Sequence, residues 1–144
     1  MGLSKRVKKT FIAIGTLIVA LPLGAWTIAS LTPSIARQAL PSAATDVQEY
    51  YSDDGFHGDF VRCLQAQMPR SEIPKFASRL GLTERYNLSK DSKLPLSFSF
   101  ENAPSWWQPP DKFDGAYFKY NPHENRFYVA TYQNGQVYFL ASAW

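Results

Sequence analysis

The run AYFKYNPHENRFYVATYQNGQVYFLASA, Ala116 to Ala143, carries the pattern from which the architecture is read. Ala116 to Tyr120, Arg126 to Gln133 and Gln136 to Ala143 are three β-prone runs, dense in aromatic and β-branched side chains that suit a pleated surface. They are joined by Asn121-Pro122-His123-Glu124-Asn125 and by Asn134-Gly135. Asn and Gly both tolerate the positive φ of a type I′ turn, so Asn134-Gly135 predicts a tight hairpin. The whole stretch reads as a three-strand antiparallel meander. Within its middle run Tyr128, Ala130 and Tyr132 share one face, and Phe127, Val129 and Thr131 the other.

Upstream, Val47 to Tyr51 and Asp59 to Gln67 flank the turn cluster Ser52-Asp53-Asp54-Gly55 and predict an opening hairpin. In its second strand Phe60, Arg62, Leu64 and Ala66 alternate with Val61, Cys63 and Gln65. Ser71 is a good N-cap for a helix that places Ile73, Phe76, Ala77 and Leu80 on one face, with Pro74 in the first turn and Gly81 as C-cap. Thr83 to Lys93 is polar and irregular. Leu94 to Phe100 alternates like a half-buried strand, and Pro95 assigns it to an edge. Asn102 to Asp114, NAPSWWQPPDKFD, reads as an extended aromatic loop. The expected fold class is α+β, one antiparallel sheet built from an opening hairpin, an edge strand and the C-terminal meander, with one helix on one face.

Phe11 to Leu31 holds 21 residues without a charge, roughly 31 Å as a helix and enough to cross a bilayer. Lys5, Arg6, Lys8 and Lys9 precede it, so the positive-inside rule keeps residues 1–10 cytoplasmic, and Trp26 falls near the outer interface. The lipid bilayer is then a partner of residues 11–31, and the chain is a single-pass membrane protein. The competing reading is a cleavable signal peptide with a small-residue site at Ser34-Ile35-Ala36. The retained anchor is favoured, because the uncharged stretch exceeds the usual apolar core of a signal peptide. Residues 32–45, with two prolines and mostly small or polar side chains, read as a tether. Residues 46–144 form the exported domain.

A length of 144 residues allows one ordinary domain. The net charge of +3 suggests nucleic acid only until its location is read. Four of the fifteen cations precede the apolar run, leaving eleven against twelve acidic groups, so no nucleic-acid partner is expected. The single Cys63 cannot form an intramolecular disulfide and sits mid-strand as a small packed side chain. His57 and His123 lie in loops without further ligands at metal spacing, so no metal and no cofactor is expected. Asp53 and Asp54 suit a tight turn better than a catalytic pair, and Asp59 lacks the spacing of a calcium loop. No phosphate loop or nucleophile elbow occurs, so no enzymatic activity is expected.

The unusual feature is aromatic load, 20 Phe, Tyr and Trp in the 113 residues from Thr32. Trp106, Trp107, Tyr128 and Tyr132 are the candidate interface residues. The loop tryptophans either plug an open sheet face or present a surface to a partner, and their adjacency predicts a split, one inward and one outward.

Leu40-Pro41-Ser42-Ala43-Ala44-Thr45-Asp46-Val47-Gln48-Glu49-Tyr50, Trp106-Trp107-Gln108-Pro109-Pro110 and Asn134-Gly135-Gln136-Val137-Tyr138-Phe139 resemble a loose group of uncharacterised bacterial exported proteins. The resemblance covers about 100 residues and implies a small domain behind a signal sequence or lipid anchor; this chain lacks the anchor cysteine. The expected function is a membrane-anchored extracytoplasmic domain acting as a protein-binding or accessory subunit of a membrane or envelope complex. The alternative is a small-molecule or glycan-binding module using exposed aromatics, followed by a hydrolase with a site near His57 and Asp59.

Overall fold

The computed structural model describes residues 33–53, 59–94 and 96–143, and from Ile35 onward they belong to one compact unit. The anchor residues Lys5, Arg6, Lys8, Lys9 and Trp26, the apolar run 11–31, Asp54 and His57 lie outside the described residues. Among the described residues no helix is long and apolar enough to cross a membrane.

Six strands form one antiparallel sheet: β1 (Thr45–Asp53), β2 (Phe60–Gln67), β3 (Glu84–Arg85), β4 (Tyr117–Asn121), β5 (Arg126–Gln133) and β6 (Gln136–Ala143). Their spatial order is β1-β2-β6-β5-β4-β3. The opening hairpin and the meander expected from sequence are both present, and they join through β2 and β6, where Phe60 pairs with Ala143 and Gln67 with Gln136. At the β5–β6 turn Asn134 has φ of 52° and Gly135 of 85°, as a type I′ turn requires.

Among the described residues three short helices accompany the sheet: α1 (Ile35–Ala39), α2 (Ile73–Arg79) and α3 (Leu88–Asp91). Ser71 is not the cap of α2; it lies inside a 3₁₀ turn, Arg70–Glu72, that leads into the helix. The C-terminus follows expectation. Gly81, at φ of 70°, lets its own N–H reach the Ser78 carbonyl at 3.0 Å and that of Leu82 reach Ala77 at 2.9 Å. This Schellman closure turns Leu82 back into the core.

Both faces of the sheet are covered. On one, α1 and α2 bring Ala36, Ala39, Ile73, Phe76 and Ala77 against Leu64, Ala66, Ala130, Val137 and Phe139. Phe76 meets Phe139 edge to face at 6.3 Å between centroids. On the other, residues 94–113 lay Phe98, Trp107 and their neighbours over Cys63, Phe118, Phe127, Val129, Tyr138 and Leu140. Hence β6, central and covered twice, is buried at every residue from Val137 to Ala143.

Two sequence expectations are corrected. Leu94 to Phe100 is no edge strand: its described residues run irregularly across the second face, because Phe98 and Phe100 have aromatic partners there. The true far edge is the two-residue β3, inside the stretch read as irregular. Residues 32–45 are likewise not tether throughout. Ala36 and Ala39 are core residues, and Arg79 Nη1 donates to the Ala39 carbonyl at 2.9 Å.

Candidate functional site

Trp106 and Trp107 pack on the same core but differ in burial, and that difference defines the site. Trp107 is 6% exposed and its indole Nε1 donates to the Phe98 carbonyl at 2.9 Å. Its ring packs on Phe98, Phe100 and Tyr138, so it is the plug that seals the second face. Trp106 is half-buried, its ring 6.0 Å from that of Trp107 at 88°. Its ring stands perpendicular to that of Trp107 and lines an open, mainly polar cleft of about 660 Å³.

Register builds the floor. On β2, β5 and β6 the residues in phase with the loop-covered face are Gln65, Gln133, Gln136 and Tyr138, and pairing sets Gln65 beside Tyr138 and Gln133 beside Gln136. Toward the β5–β6 turn the aromatic cover stops and these side chains are left to line the cleft. Gln108, Pro109, Pro110, Asp111 and Lys112 close it from the loop, with Asn134 at the turn. Four glutamines and one asparagine thus converge beside a tryptophan, while the charges are a single acid and a single base.

The polar groups are ordered. Tyr138 donates its hydroxyl proton to Gln136 Oε1 at 2.7 Å, and Gln65 Nε2 donates to the same oxygen at 3.3 Å. Burial pushes the Tyr138 phenol up from its ordinary value, which keeps it a donor through the physiological range. Gln65 Oε1 is buried without a donor. Such an orphan costs about 1–3 kcal/mol and native folds retain few of them, often at working sites.

Tyr128 and Tyr132 do not join this cleft. They lie on the opposite face, packed against the helix-side core, and the Tyr132 hydroxyl donates to the Met68 carbonyl at 3.0 Å. The four candidate interface residues therefore cannot form one surface. Gln65, Gln108, Gln133, Gln136 and Tyr138 were not singled out from sequence. Their strand phase was legible, but the β2–β6 pairing that gathers them was not.

The groups considered for catalysis are dispersed. Cys63 is fully buried, and desolvation pushes its thiol up to about 12, away from the thiolate a nucleophile needs. His123 is exposed in the β4–β5 connection, its backbone N–H donating to Asn121 Oδ1 at 3.1 Å. Asp53 accepts from the Tyr51 hydroxyl at 2.9 Å. Asp59 borders a smaller hollow of about 250 Å³ with Tyr50, Phe100 and Glu101. Among the described residues no three His, Cys, Asp or Glu side chains are grouped to hold a metal ion.

Comparison with protein-family models, with curated proteins and with solved structures finds no match for this chain.

Proposed function

We propose that this chain is a non-enzymatic binding domain, carried outside the cytoplasm and held at the membrane by residues 11–31, with the Trp106 cleft as its ligand site. The observation that carries the reading is the lining: five carboxamides, a tyrosine hydroxyl and an indole are groups that bind and orient. The carboxamides and the indole are poor nucleophiles and poor proton carriers; Asp111 and Lys112 are the ionisable side chains beside them. Of the two binding modes expected from sequence, a polar cleft of about 660 Å³ suits a small molecule or glycan.

Retention of the anchor has support in α1. Cleavage after Ala36 would remove Ile35 and Ala36 from the helix, and Ala36 is 3% exposed in the core. The accessory-subunit reading rests on a different observation. β1 is nine residues long, pairs on one side only among the described residues and carries Tyr51 at 49% exposure, so it offers backbone donors and acceptors to an added strand.

The test is a library of small neutral and charged compounds and short peptides, added to the full chain while side-chain NMR signals of Trp106, Gln65 and Gln136 are followed. Saturable shifts confined to these residues and lost in Trp106→Ala support the cleft. Silence across the library, with stable co-purification of a membrane protein that substitutions in β1 abolish, transfers the function to the β1 edge.

A further inference from the structure

Resting on the reading of residues 11–31 as a retained anchor, we infer that the helix side of the domain docks on anionic phospholipid headgroups of the same bilayer, which turns the Trp106 cleft away from the membrane. Chain length and charge carry this together.

The first constraint is covalent. Four peptide units join Leu31, the last residue of the apolar run, to Ile35, the first of α1. Fully extended, they reach about 14 Å. The headgroup layer outside the hydrocarbon takes up roughly 5–8 Å of that distance. An anchor in the bilayer therefore brings the start of α1 to the headgroups or just above them. Ile35, 77% exposed, stands at that point, while Ala36 and Ala39 lock the helix into the core. With α1 part of the fold, no slack holds the domain away from the surface.

Charge selects the face. α1, α2 and the 3₁₀ turn before α2 carry Arg37, Arg70, Lys75 and Arg79 against one acid, Glu72. All four cations are exposed, and Arg70, Lys75 and Arg79 form no ion pair among the described residues. Arg79 also donates to the carbonyls of Ala39 and Leu40, so the cations of α2 sit beside the C-terminal end of α1. On the strands of this side Arg62 pairs with Glu49 at 2.7 Å and Arg126 with Glu124 at 3.1 Å, which leaves the surplus to the helices. Over the other face residues 94–113 carry Glu101 and Asp111 against Lys112. An anionic leaflet attracts cations within a Debye length, about 10 Å at 0.1 M salt, so it favours the helix side and disfavours the loop side. A second copy fits this layer badly, because two such layers face to face bring like charges together. Since the Trp106 cleft is built on the loop side, this pose leaves it open to ligands from outside.

The experiment places the full chain in nanodiscs of phosphatidylcholine, with and without phosphatidylglycerol, each doped with a lipid bearing a nitroxide on its headgroup. Broadening of NMR signals reports proximity to that label. In discs with phosphatidylglycerol the expected result is broadening at Ile35, Arg37, Lys75 and Ser78, with Trp106 and Gln108 sharp. The broadening at Lys75 and Ser78 should be lost in pure phosphatidylcholine, at high salt, and in the double variant Arg70→Glu, Lys75→Glu. The lipid and salt arms need no variant, so they decide the matter even if the double variant folds poorly. Broadening at Ile35 alone, equal in both lipids, overturns the docking and keeps the anchor. Broadening at Trp106 and Gln108 overturns the orientation. A dimer, with Lys75 shielded whatever the lipid, overturns the bilayer in favour of a second copy. A membrane-processed chain whose mass begins at Arg37 overturns the anchor and the docking with it.

Discussion

The indole Nε1 of Trp107 donates to the carbonyl oxygen of Phe98 at 2.9 Å, and this bond pins one part of the irregular segment over the sheet to another. It satisfies a buried donor and a buried acceptor together, so the plug and the strip of chain beneath it stand or fall as one. Trp106, one residue earlier, is left on the cleft side of that plug.

Trp107→Ala should destabilise the domain by about 3–5 kcal/mol through the cavity it leaves. Trp107→Phe keeps much of the packing but strands the Phe98 carbonyl, at about 1–3 kcal/mol. Trp106→Ala should cost about 1 kcal/mol or less, since its ring is only half-buried. Urea unfolding of the three variants orders them; equal losses at Trp106 and Trp107 would reject the division of roles.

Gln65→Met removes the orphaned buried oxygen and should raise stability by about 1 kcal/mol while it weakens ligand binding. Melting temperature and affinity should therefore move in opposite directions. A variant that loses stability together with binding would make Gln65 a structural residue only.

Cys63 should resist a thiol reagent in the folded protein and react promptly in denaturant, because it is fully buried. Its thiol ionises near 9.0 when free and at about 12 in the fold, so the two states bind protons equally below about 9. Above that the unfolded chain loses its proton first, and this group's contribution falls by about 1.4 kcal/mol per pH unit until the folded thiol also ionises. Unfolding free energies from pH 8 to 11 should fall more steeply in the native chain than in Cys63→Ala, about which the sign of the difference is decisive.

A chain beginning at residue 33 should be more stable than one beginning at residue 40. The shorter chain loses the buried methyl groups of Ala36 and Ala39, about 0.8 kcal/mol each, and the Ala39 carbonyl that accepts from Arg79. Thermal melts of the two compare directly; identical curves would return α1 to the status of a tether.

Gly135→Ala should cost about 1–2 kcal/mol, since φ of 85° penalises any Cβ although space around it is open. Asn134→Ala, at φ of 52°, should cost less than a β-branched residue there. Differential scanning of both variants reports on the hairpin that closes the cleft floor.

The meander, the opening hairpin, the Gly81 helix stop and the phase of β2 and β5 were legible along the chain, because turn chemistry and strand alternation are local properties. Cys63 as a packed side chain and the split between adjacent tryptophans followed from the same two-residue period. What local pattern does not encode is adjacency between distant segments. The pairing of β2 with β6 joins residues 69 to 83 positions apart, and it alone places Gln65 next to Tyr138 and Gln136. Nor does alternation report whether a strand has one covered face or two. Leu94 to Phe100 alternates like an edge strand, yet Phe98 and Phe100 pack with Trp107 over the second sheet face, and Pro95 has no N–H to give a ladder. Ala36 and Ala39 look like tether because small residues carry little local signal, and they become core only where α2 and the sheet meet above them. Local residues chose the elements; burial of two sheet faces chose their neighbours, and with them the cleft.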